Sequence, residues 1–211
     1  MVQGEMNQIG IIDVGIGNIG SLNSAIYELG FDVCLVNDLD TLNNCDSLIL
    51  PGVGSFYHGM SAIKAAGLIK PINNHITDKK PLLGICLGMQ LLFDYGNEGR
   101  SNKGLGFIPG TVDRIKEKKS FHIPHVGWNT VTQVQNHPIL HGIKSDVDFY
   151  FVHSYRVKCN SKYVIGNTEY SETFPSIVFN DSIVGMQFHP EKSQKNGLRI
   201  LENFCLWGGN C

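Results

Sequence analysis

One cysteine stands in a setting that favours nucleophilic chemistry. Cys86 follows an apolar run at residues 81–85 and lies between Gly84 and Gly88, in the sequence Gly-Ile-Cys-Leu-Gly. Glycines two positions before and after a nucleophile permit a sharp strand-to-helix turn, because larger side chains would clash there. The start of a helix favours thiolate over thiol, since it carries the positive end of the helix dipole. The segment predicts a cysteine that attacks carbonyl carbon, although a buried cysteine at a tight turn has the same pattern.

A histidine and a glutamate near the C-terminus form a second reactive group. Residues 183–188 have a strand pattern and are followed by His189, Pro190 and Glu191. Side chains two positions apart on a strand point to the same side, so Glu191 can hold the Nδ1 proton of His189 while Nε2 faces a nucleophile. Of the eight histidines, His189 is the one with a carboxylate two positions on at a strand end. The sequence thus predicts a catalytic triad of Cys86, His189 and Glu191.

Acyl transfer also needs hydrogen-bond donors for the negative oxygen that develops on the substrate. The backbone amide of Leu87, directly after the nucleophile, is one candidate donor. The loop at residues 51–54 can present a second, the amide of Val53, because Gly52 and Gly54 let the backbone approach a ligand. Both donors are expected at the carboxyl edge of the sheet, where open α/β folds bind ligands. Taken alone, the loop also reads as an ordinary turn.

Alternating strands and helices are expected to position these groups. Short apolar runs separated by helix-like segments predict βαβ units and a parallel sheet. The predicted strands of the first ninety residues are 9–14, 33–36, 48–50 and 81–85.

Two helices are predicted between these strands. Residues 21–29 have apolar side chains at helical spacing, with Ser21 as a cap at the start and Gly30 at the end. A further helix is predicted at 61–75, with breaks near Gly67 and Pro71.

The chain changes character after Gly104. Short β-rich runs with turns between them predict mainly antiparallel strands, closed by an amphipathic helix at 193–206. No repeat or linker separates the halves, so the sequence predicts one α/β domain over residues 1–211. Its fold is expected to be a central mixed, mostly parallel sheet flanked by helices, with a more antiparallel, β-rich second half. The predicted strands of that half are 111–115, 149–153, 154–157, 163–166, 177–180 and 183–188.

Composition excludes several classes of protein. The chain has 211 residues, of which 42% are apolar and 17% charged, and this balance favours a globular core over disorder. A net charge of −2 gives no field that would attract nucleic acid or anionic lipid. The most apolar stretch, 82–93, is shorter than the about 20 residues that a membrane span needs. The polar stretch 1–8 does not resemble a secretion signal, so a cytoplasmic protein is expected.

Neither metal nor cofactor is indicated by the remaining polar residues. The six cysteines are scattered without a C-x-x-C pair, which favours neither a disulfide framework nor a zinc site. His122 and His125 lack a further nearby ligand, and His137 and His141 flank Pro138 in a predicted surface turn.

Three motifs resemble those of class I glutamine amidotransferases: GICLGMQ at 84–90, LPGVGSF at 50–56 and QFHPEKS at 187–193. Within that family, further motifs are similar to those of the glutaminase subunits of imidazole glycerol phosphate synthases: DVGIGN at 13–18, PHVGWN at 124–129 and YFVHSY at 150–155. Together the motifs span nearly the entire chain in the expected order.

The resemblance implies that glutamine is hydrolysed to glutamate through a cysteinyl thioester. The ammonia would pass to a (β/α)8-barrel synthase partner, which would use it to form imidazole glycerol phosphate in histidine biosynthesis. Cys86 would be the nucleophile, His189 the base and acid, and Glu191 its orienter. Beside Gly52 and Gly54, the residues implied to bind glutamine are Gln90, Glu98, His153, Ser154 and Tyr155. The residues implied to face the partner are Asn18, Trp128, Asn129, Tyr150 and Lys192. From sequence alone, Trp128 fits an exposed interface anchor and a buried core residue equally well.

A dinucleotide site is the main alternative. Gly15, Gly17 and Gly20 form G-x-G-x-x-G between a predicted strand and helix, with Asp38 near the end of the second strand. This pattern is typical of nicotinamide-dependent oxidoreductases, but it leaves the Cys86 turn and the His189 pair unexplained. A non-enzymatic subunit of the same fold, and a glutaminase that serves another amidotransferase such as one that amidinates a sugar, are further alternatives.

Overall fold

A computed structural model describes residues 7–209, so Cys211 and most of the polar stretch 1–8 lie outside the described residues. The strands are β1 (Ile9–Ile12), β2 (Val33–Val36), β3 (Ser47–Leu50), β4 (Leu82–Ile85), β5 (Phe93–Gly96), β6 (Asn102–Lys103), β7 (Ile108–Arg114), β8 (His125–Gln133), β9 (Val147–His153), β10 (Tyr155–Cys159), β11 (Val164–Glu169), β12 (Thr173–Asn180) and β13 (Ile183–Met186). The helices are α1 (Ile19–Glu28), α2 (Leu39–Asn43), α3 (Phe56–Ala65), α4 (Ile69–Thr77), α5 (Leu87–Leu91) and α6 (Gln194–Leu206). Single 3₁₀ turns lie at Pro138–Leu140, Ser161–Tyr163 and Pro190–Lys192.

A nine-stranded mixed sheet forms the centre of the molecule, in the order β2-β1-β3-β4-β13-β12-β11-β8-β9. The strands from β2 to β13 in this order pair in parallel, and those from β13 to β9 pair antiparallel. This arrangement confirms the predicted α/β fold with a mixed sheet and an antiparallel second half. A second sheet, in the order β10-β7-β5-β6, was not predicted as a separate unit, because its short strands have the same sequence pattern as the others.

The central parallel strands β1, β3, β4 and β13 are buried on both faces, as their near-continuous apolar sequences require. On one face, Ile9 and Ile11 belong to the same core cluster as apolar residues of α1 and α6. On the other, Ile12 belongs to a core cluster that includes residues of α3, α4, α5 and the second sheet. Alternation along each strand divides its side chains between the two cores. Within residues 7–209, no helix combines the length and apolar character needed to cross a membrane.

Two predicted helix features differ from the structure. Asn18, not Ser21, precedes α1, and its Nδ2 atom donates a hydrogen bond to Ser21 Oγ at 3.0 Å. The break between α3 and α4 falls at Gly67, which has a φ of +72°. Pro71 does not break a helix, because it lies in the first turn of α4, where an amide has no partner within the helix. Gly30 follows α1 with a φ of +84°, as predicted.

Candidate active site

Three neighbouring parallel strands bring the predicted site residues to one edge of the sheet. β3, β4 and β13 lie side by side, so their carboxyl ends meet. The loop 51–54 follows β3, Cys86 follows β4, and His189 comes three residues after β13. The amide of Cys86 donates to the carbonyl oxygen of Met186 at 2.7 Å, which joins two of these strand ends directly.

Cys86 adopts a backbone conformation that is rare for any residue but glycine. Its φ is +55° and its ψ is −108°, between β4 and α5. A Cβ atom on Gly84 would lie 2.8 Å from the backbone of Gly88, and one on Gly88 would overlap the carbonyl oxygen of Leu50. The turn therefore requires glycine at both positions, as predicted, because backbone atoms pack closely against them. The tip of a sharp strand-to-helix turn is expected to lie at the surface, but this expectation is wrong here, because Cys86 is only 6% exposed.

His189 and Glu191 form a buried pair. The Nδ1 atom of His189 lies 2.8 Å from a carboxylate oxygen of Glu191, and their side chains are 3% and 4% exposed. The two residues meet through the 3₁₀ turn Pro190–Lys192 and not through strand periodicity, because β13 ends at Met186. The His189 backbone is held at both ends: its amide donates to Tyr150 O, and its carbonyl accepts from Ser193 Oγ.

The charge state of His189 depends on its two neighbours. Burial lowers the pKa of its imidazole, but interactions with Cys86 and Glu191 outweigh burial and raise the pKa to about 10. Since Nδ1 faces Glu191, the nitrogen near Cys86 is Nε2, which is buried and makes no hydrogen bond to any described residue. The arrangement suits an imidazolium that stabilises a thiolate and has one proton ready for a bound ligand.

Both candidate donors for an oxyanion are engaged in hydrogen bonds within the protein. The amide of Leu87 donates to the carbonyl oxygen of Gly52 at 3.3 Å, and the amide of Val53 donates to the carbonyl oxygen of Ile16 at 2.5 Å. One peptide group, between Gly52 and Val53, takes part in both bonds. The predicted pair of free donors is therefore not assembled in this conformation.

Three of the residues implied to bind glutamine share one carbonyl group. Nε2 of Gln90 and Nδ1 of His153 both lie within 3.0 Å of the carbonyl oxygen of Tyr155. Gln90 and His153 are buried, and Ser154 and Tyr155 are half-buried. Glu98 has a different contact, because its carboxylate accepts from the amide of Phe56 at the start of α3. Gly54 adopts a φ of +101°, which favours glycine, and a Cβ atom there would have no neighbour within 4 Å.

Gln187 was not singled out from the sequence, yet its side chain reaches the cysteine. Its Nε2 atom lies 3.8 Å from Cys86 Sγ, and its Oε1 atom accepts from Gln90 at 3.0 Å. The sequence did contain a signal: Gln187 is a polar residue in an apolar strand-like run, two positions before His189.

The residues implied to face a partner lie in two places. Trp128 is 48% exposed on β8, and its ring packs edge to face against that of Tyr150, with 6.1 Å between ring centres. The alternative that Trp128 packs in the core is therefore wrong. The Nζ atom of Lys192 lies 5.9 Å from the centre of the Tyr150 ring, and Asn129 is half-buried on β8. Asn18 is exposed and lines the same narrow cleft as His189.

The residues of the dinucleotide pattern have structural contacts instead. A Cβ atom on Gly17 would lie 2.9 Å from the ring of Pro51, so the glycine loop packs against the loop 51–54. Asp38 accepts hydrogen bonds from the amide and hydroxyl of Thr41 and thereby caps α2. Among residues 7–209, no group of three potential ligands is arranged to hold a metal ion. His137, predicted in a surface turn, is buried against the rings of Phe179 and Trp207.

A cysteine at a strained strand-to-helix turn, beside a histidine–glutamate pair at the carboxyl edge of a parallel sheet, fits one known class. The chain belongs to the class I glutamine amidotransferases, whose family model matches residues 10–207. Solved structures with the same fold include a putative GMP synthase component from Thermoplasma acidophilum, with a TM-score of 0.72 and 22% identity over 96% of this chain and 94% of that one. PurLQS from Thermotoga maritima aligns with a TM-score of 0.71 and 17% identity, over 94% and 97% of the chains.

Three relatives of higher identity carry the name of one protein. Imidazole glycerol phosphate synthase subunit HisH 2 of Methanococcus maripaludis is 46% identical over 198 residues, which cover 93% of this chain and 98% of the relative. Subunit HisH of Methanocaldococcus jannaschii is 46% identical over 196 residues, or 93% and 97% of the two chains. The corresponding subunit of Desulfitobacterium hafniense is 44% identical over 200 residues, or 94% of each.

Three buried histidines are expected to make the fold sensitive to acid. Burial lowers the pKa of His125 and of His137 to about 4, and that of His153 to about 3. In the unfolded chain each titrates near about 6.5, so below this pH the unfolded state binds more protons than the folded state. The free energy of unfolding should therefore fall by at least about 2 kcal/mol between about pH 7 and about pH 5, measured by urea denaturation.

Between about pH 7 and about pH 5, the change in the free energy of unfolding comes from histidines and not from carboxyl groups. The carboxyl groups with lowered pKa, Asp38, Asp113 and Glu172, lose their stabilising contribution only at lower pH. His75, whose pKa is also lowered chiefly by burial, adds to the effect of the three histidines, whereas His189, with its raised pKa, acts in the opposite direction. Equal stability at both pH values would show that the three histidines are not held neutral in the folded state.

Proposed function

We propose that this chain is the glutaminase subunit of an imidazole glycerol phosphate synthase. It would hydrolyse glutamine to glutamate and pass the ammonia to a (β/α)8-barrel partner in histidine biosynthesis. The observation that carries this proposal is the meeting of Cys86 with the His189–Glu191 pair at the carboxyl edge of the sheet. The identity of 44–46% to HisH subunits favours this pathway over that of another amidotransferase, since the neighbours with other names are similar in fold alone.

In the proposed first half-reaction, the Cys86 thiolate attacks the side-chain carbonyl carbon of glutamine. A carbon–sulfur bond forms and the carbonyl oxygen becomes negative. His189 donates its Nε2 proton to the amide nitrogen, the carbon–nitrogen bond breaks, and ammonia leaves. A glutamyl thioester remains on Cys86.

In the proposed second half-reaction, His189 acts as a base. Water gives a proton to Nε2 while its oxygen attacks the thioester carbon, the carbon–sulfur bond breaks, and the new carboxyl group releases its remaining proton to solvent as glutamate leaves. The sulfur departs as thiolate, so the ion pair of Cys86 and His189 is restored. Glu191 would hold the Nδ1 proton throughout, which keeps Nε2 directed at the reacting atoms.

The hydrogen bonds of the loop 51–54 support the proposal that the site has low activity in this conformation. A rotation of the Gly52–Val53 peptide would withdraw the Gly52 carbonyl from Leu87 and free the Val53 amide from Ile16. Both donors would then be available to the oxyanion. Removal of one such donor in other enzymes lowers kcat by about 10²–10³-fold. We propose that this rotation belongs to the active form, which links full activity to an event that moves the loop.

A partner is proposed to bind the exposed face of β8 and β9. Trp128 and Tyr150 lie there with two exposed valines, Val126 and Val152, in a contiguous apolar surface at the end of the large sheet. Aromatic residues in such patches are typical anchors of protein interfaces. The amide of His189 donates to the carbonyl of Tyr150, so this face lies one hydrogen bond from the proposed base. Two further expectations, a single glutaminase domain over residues 1–211 and a cytoplasmic location, stay predictions.

Substitutions in the triad should separate the proposed roles. Cys86→Ala and Cys86→Ser should abolish glutamate formation, because neither side chain supplies a thiolate. His189→Ala should be more damaging than Glu191→Gln by about tenfold or more, since a base that is less well oriented still transfers protons. Glutamate release should be assayed with and without the barrel partner, after thermal melting has shown that each variant is folded. Glutamate formation at the wild-type rate by Cys86→Ala would refute the assignment.

Trp128→Ala should weaken binding of the barrel partner by about 2 kcal/mol or more, about 30-fold in Kd, because it removes a half-exposed aromatic anchor. Tyr27→Ala is the matched control, since Tyr27 is an exposed aromatic residue on α1, outside the β8–β9 face. Titration calorimetry would give both affinities. Equal affinities for the two variants would place the interface elsewhere.

A further inference from the structure

We infer that Gln187 is a further catalytic residue of this site: its side-chain amide donates a hydrogen bond to Cys86 Sγ and thereby favours the thiolate. The inference rests on the proposed role of Cys86 as nucleophile. It assigns a function to a residue that lies outside the triad and outside the set implied to bind glutamine.

The contacts of the Cys86 sulfur differ in which charge state they favour. The carbonyl oxygen of Val152 lies 3.9 Å from Sγ and can only accept, so it favours the protonated thiol. Nε2 of Gln187 lies 3.8 Å from Sγ and can only donate, so it favours the thiolate. Gln187 is fully buried, and hydrogen bonds to a charged group are strongest where water is absent.

A chain of hydrogen bonds fixes which end of the Gln187 amide faces the sulfur. The carbonyl oxygen of Tyr155 is an obligate acceptor, so the group of Gln90 that lies 3.0 Å from it must be the amino group. The second hydrogen of that group points to Gln187 at 3.0 Å, which must therefore present its oxygen. The amino group of Gln187 is then left to face Cys86. If the Gln187 amide were inverted, its amino group would face the amino group of Gln90, and two donors would oppose each other.

The chain of hydrogen bonds continues through two neutral histidines, which place no further charge near Cys86. Nδ1 of His153 also lies against the carbonyl of Tyr155, at 2.8 Å, and must donate to it. Nε2 of His153 then accepts from Nδ1 of His125 at 3.0 Å. The charged group beside Cys86 is therefore His189, which follows β13 and is paired with Glu191, while His153 on β9 is neutral. The backbone amide of Gln187 is anchored by the carbonyl of Ser176 at 2.9 Å on β12.

Alkylation of Cys86 by iodoacetamide at a series of pH values tests the inference on the isolated full-length chain. Peptide mapping by mass spectrometry separates Cys86 from the other cysteines. Gln187→Met keeps the length of the side chain but removes the donor. It should slow Cys86 alkylation near neutral pH by about tenfold and raise the midpoint of the pH profile by about one unit. Gln187→Glu should raise the midpoint further, because a carboxylate adds negative charge beside the sulfur.

Ser176→Ala is the matched control, since Ser176 is a fully buried polar residue next to Gln187 whose hydroxyl makes no hydrogen bond to a described residue. It should leave the alkylation profile unchanged. Wild-type midpoints in both Gln187 variants, with melting curves that show folded protein, would overturn the inference. If either variant does not fold, the side-chain amide resonance of Gln187 in the wild-type chain decides: it should shift with the same midpoint as Cys86 alkylation, and a resonance indifferent to pH would overturn the inference.

This experiment separates the inference from the proposed function. Alkylation reports the charge state of Cys86 without glutamine or a partner. If Cys86→Ala still forms glutamate, the proposed function fails, whatever the Gln187 variants do. If Cys86→Ala is inactive and the Gln187 variants are alkylated like the wild type, only the role of Gln187 fails.

Discussion

The backbone conformation of Cys86 is the constraint on which the rest of the structure depends. A positive φ at a residue with a side chain costs free energy and persists only where surrounding contacts determine it. Here those contacts are backbone to backbone, because Gly84 and Gly88 leave no room for a Cβ atom between β4, α5 and the carbonyl of Leu50. The strained turn directs the sulfur toward the end of the neighbouring strand β13, where the histidine arrives from a distant part of the chain.

Burial gives the site both its reactivity and its internal order. The sulfur, the imidazole and the carboxylate all lie away from water, where charges interact strongly and unpaired polar groups are costly. Polar side chains nearby are therefore linked in one directional network that starts from the Tyr155 carbonyl. The same burial keeps His153 neutral, so that the imidazole with a raised pKa is the one beside Cys86. The loop 51–54 is held by hydrogen bonds to Ile16 and Leu87, which engage both candidate donor amides.

Sequence reasoning succeeded where a residue type is required by backbone geometry and failed where side chains meet across the fold. The glycines around Cys86, the presence of parallel strands in the first half and the antiparallel second half could be predicted from local patterns. The pairing of His189 with Glu191 was expected for the wrong reason, since a 3₁₀ turn and not a strand brings them together. Burial of Cys86, the engaged amides of Leu87 and Val53, and the contact of Gln187 with the sulfur depend on which strands become neighbours. A single sequence does not contain that information in local form.

The central claim is that a thiolate at Cys86 and an imidazolium at His189 stabilise each other, and the pKa of the His189 imidazole measures this directly. NMR titration of the wild-type chain and of Cys86→Ala would compare the two states. The account predicts a pKa well above the ordinary value of about 6.5 in the wild type and a clear decrease when the sulfur is removed. Equal pKa values in the two proteins would contradict it, because His189 would then not sense Cys86 at all.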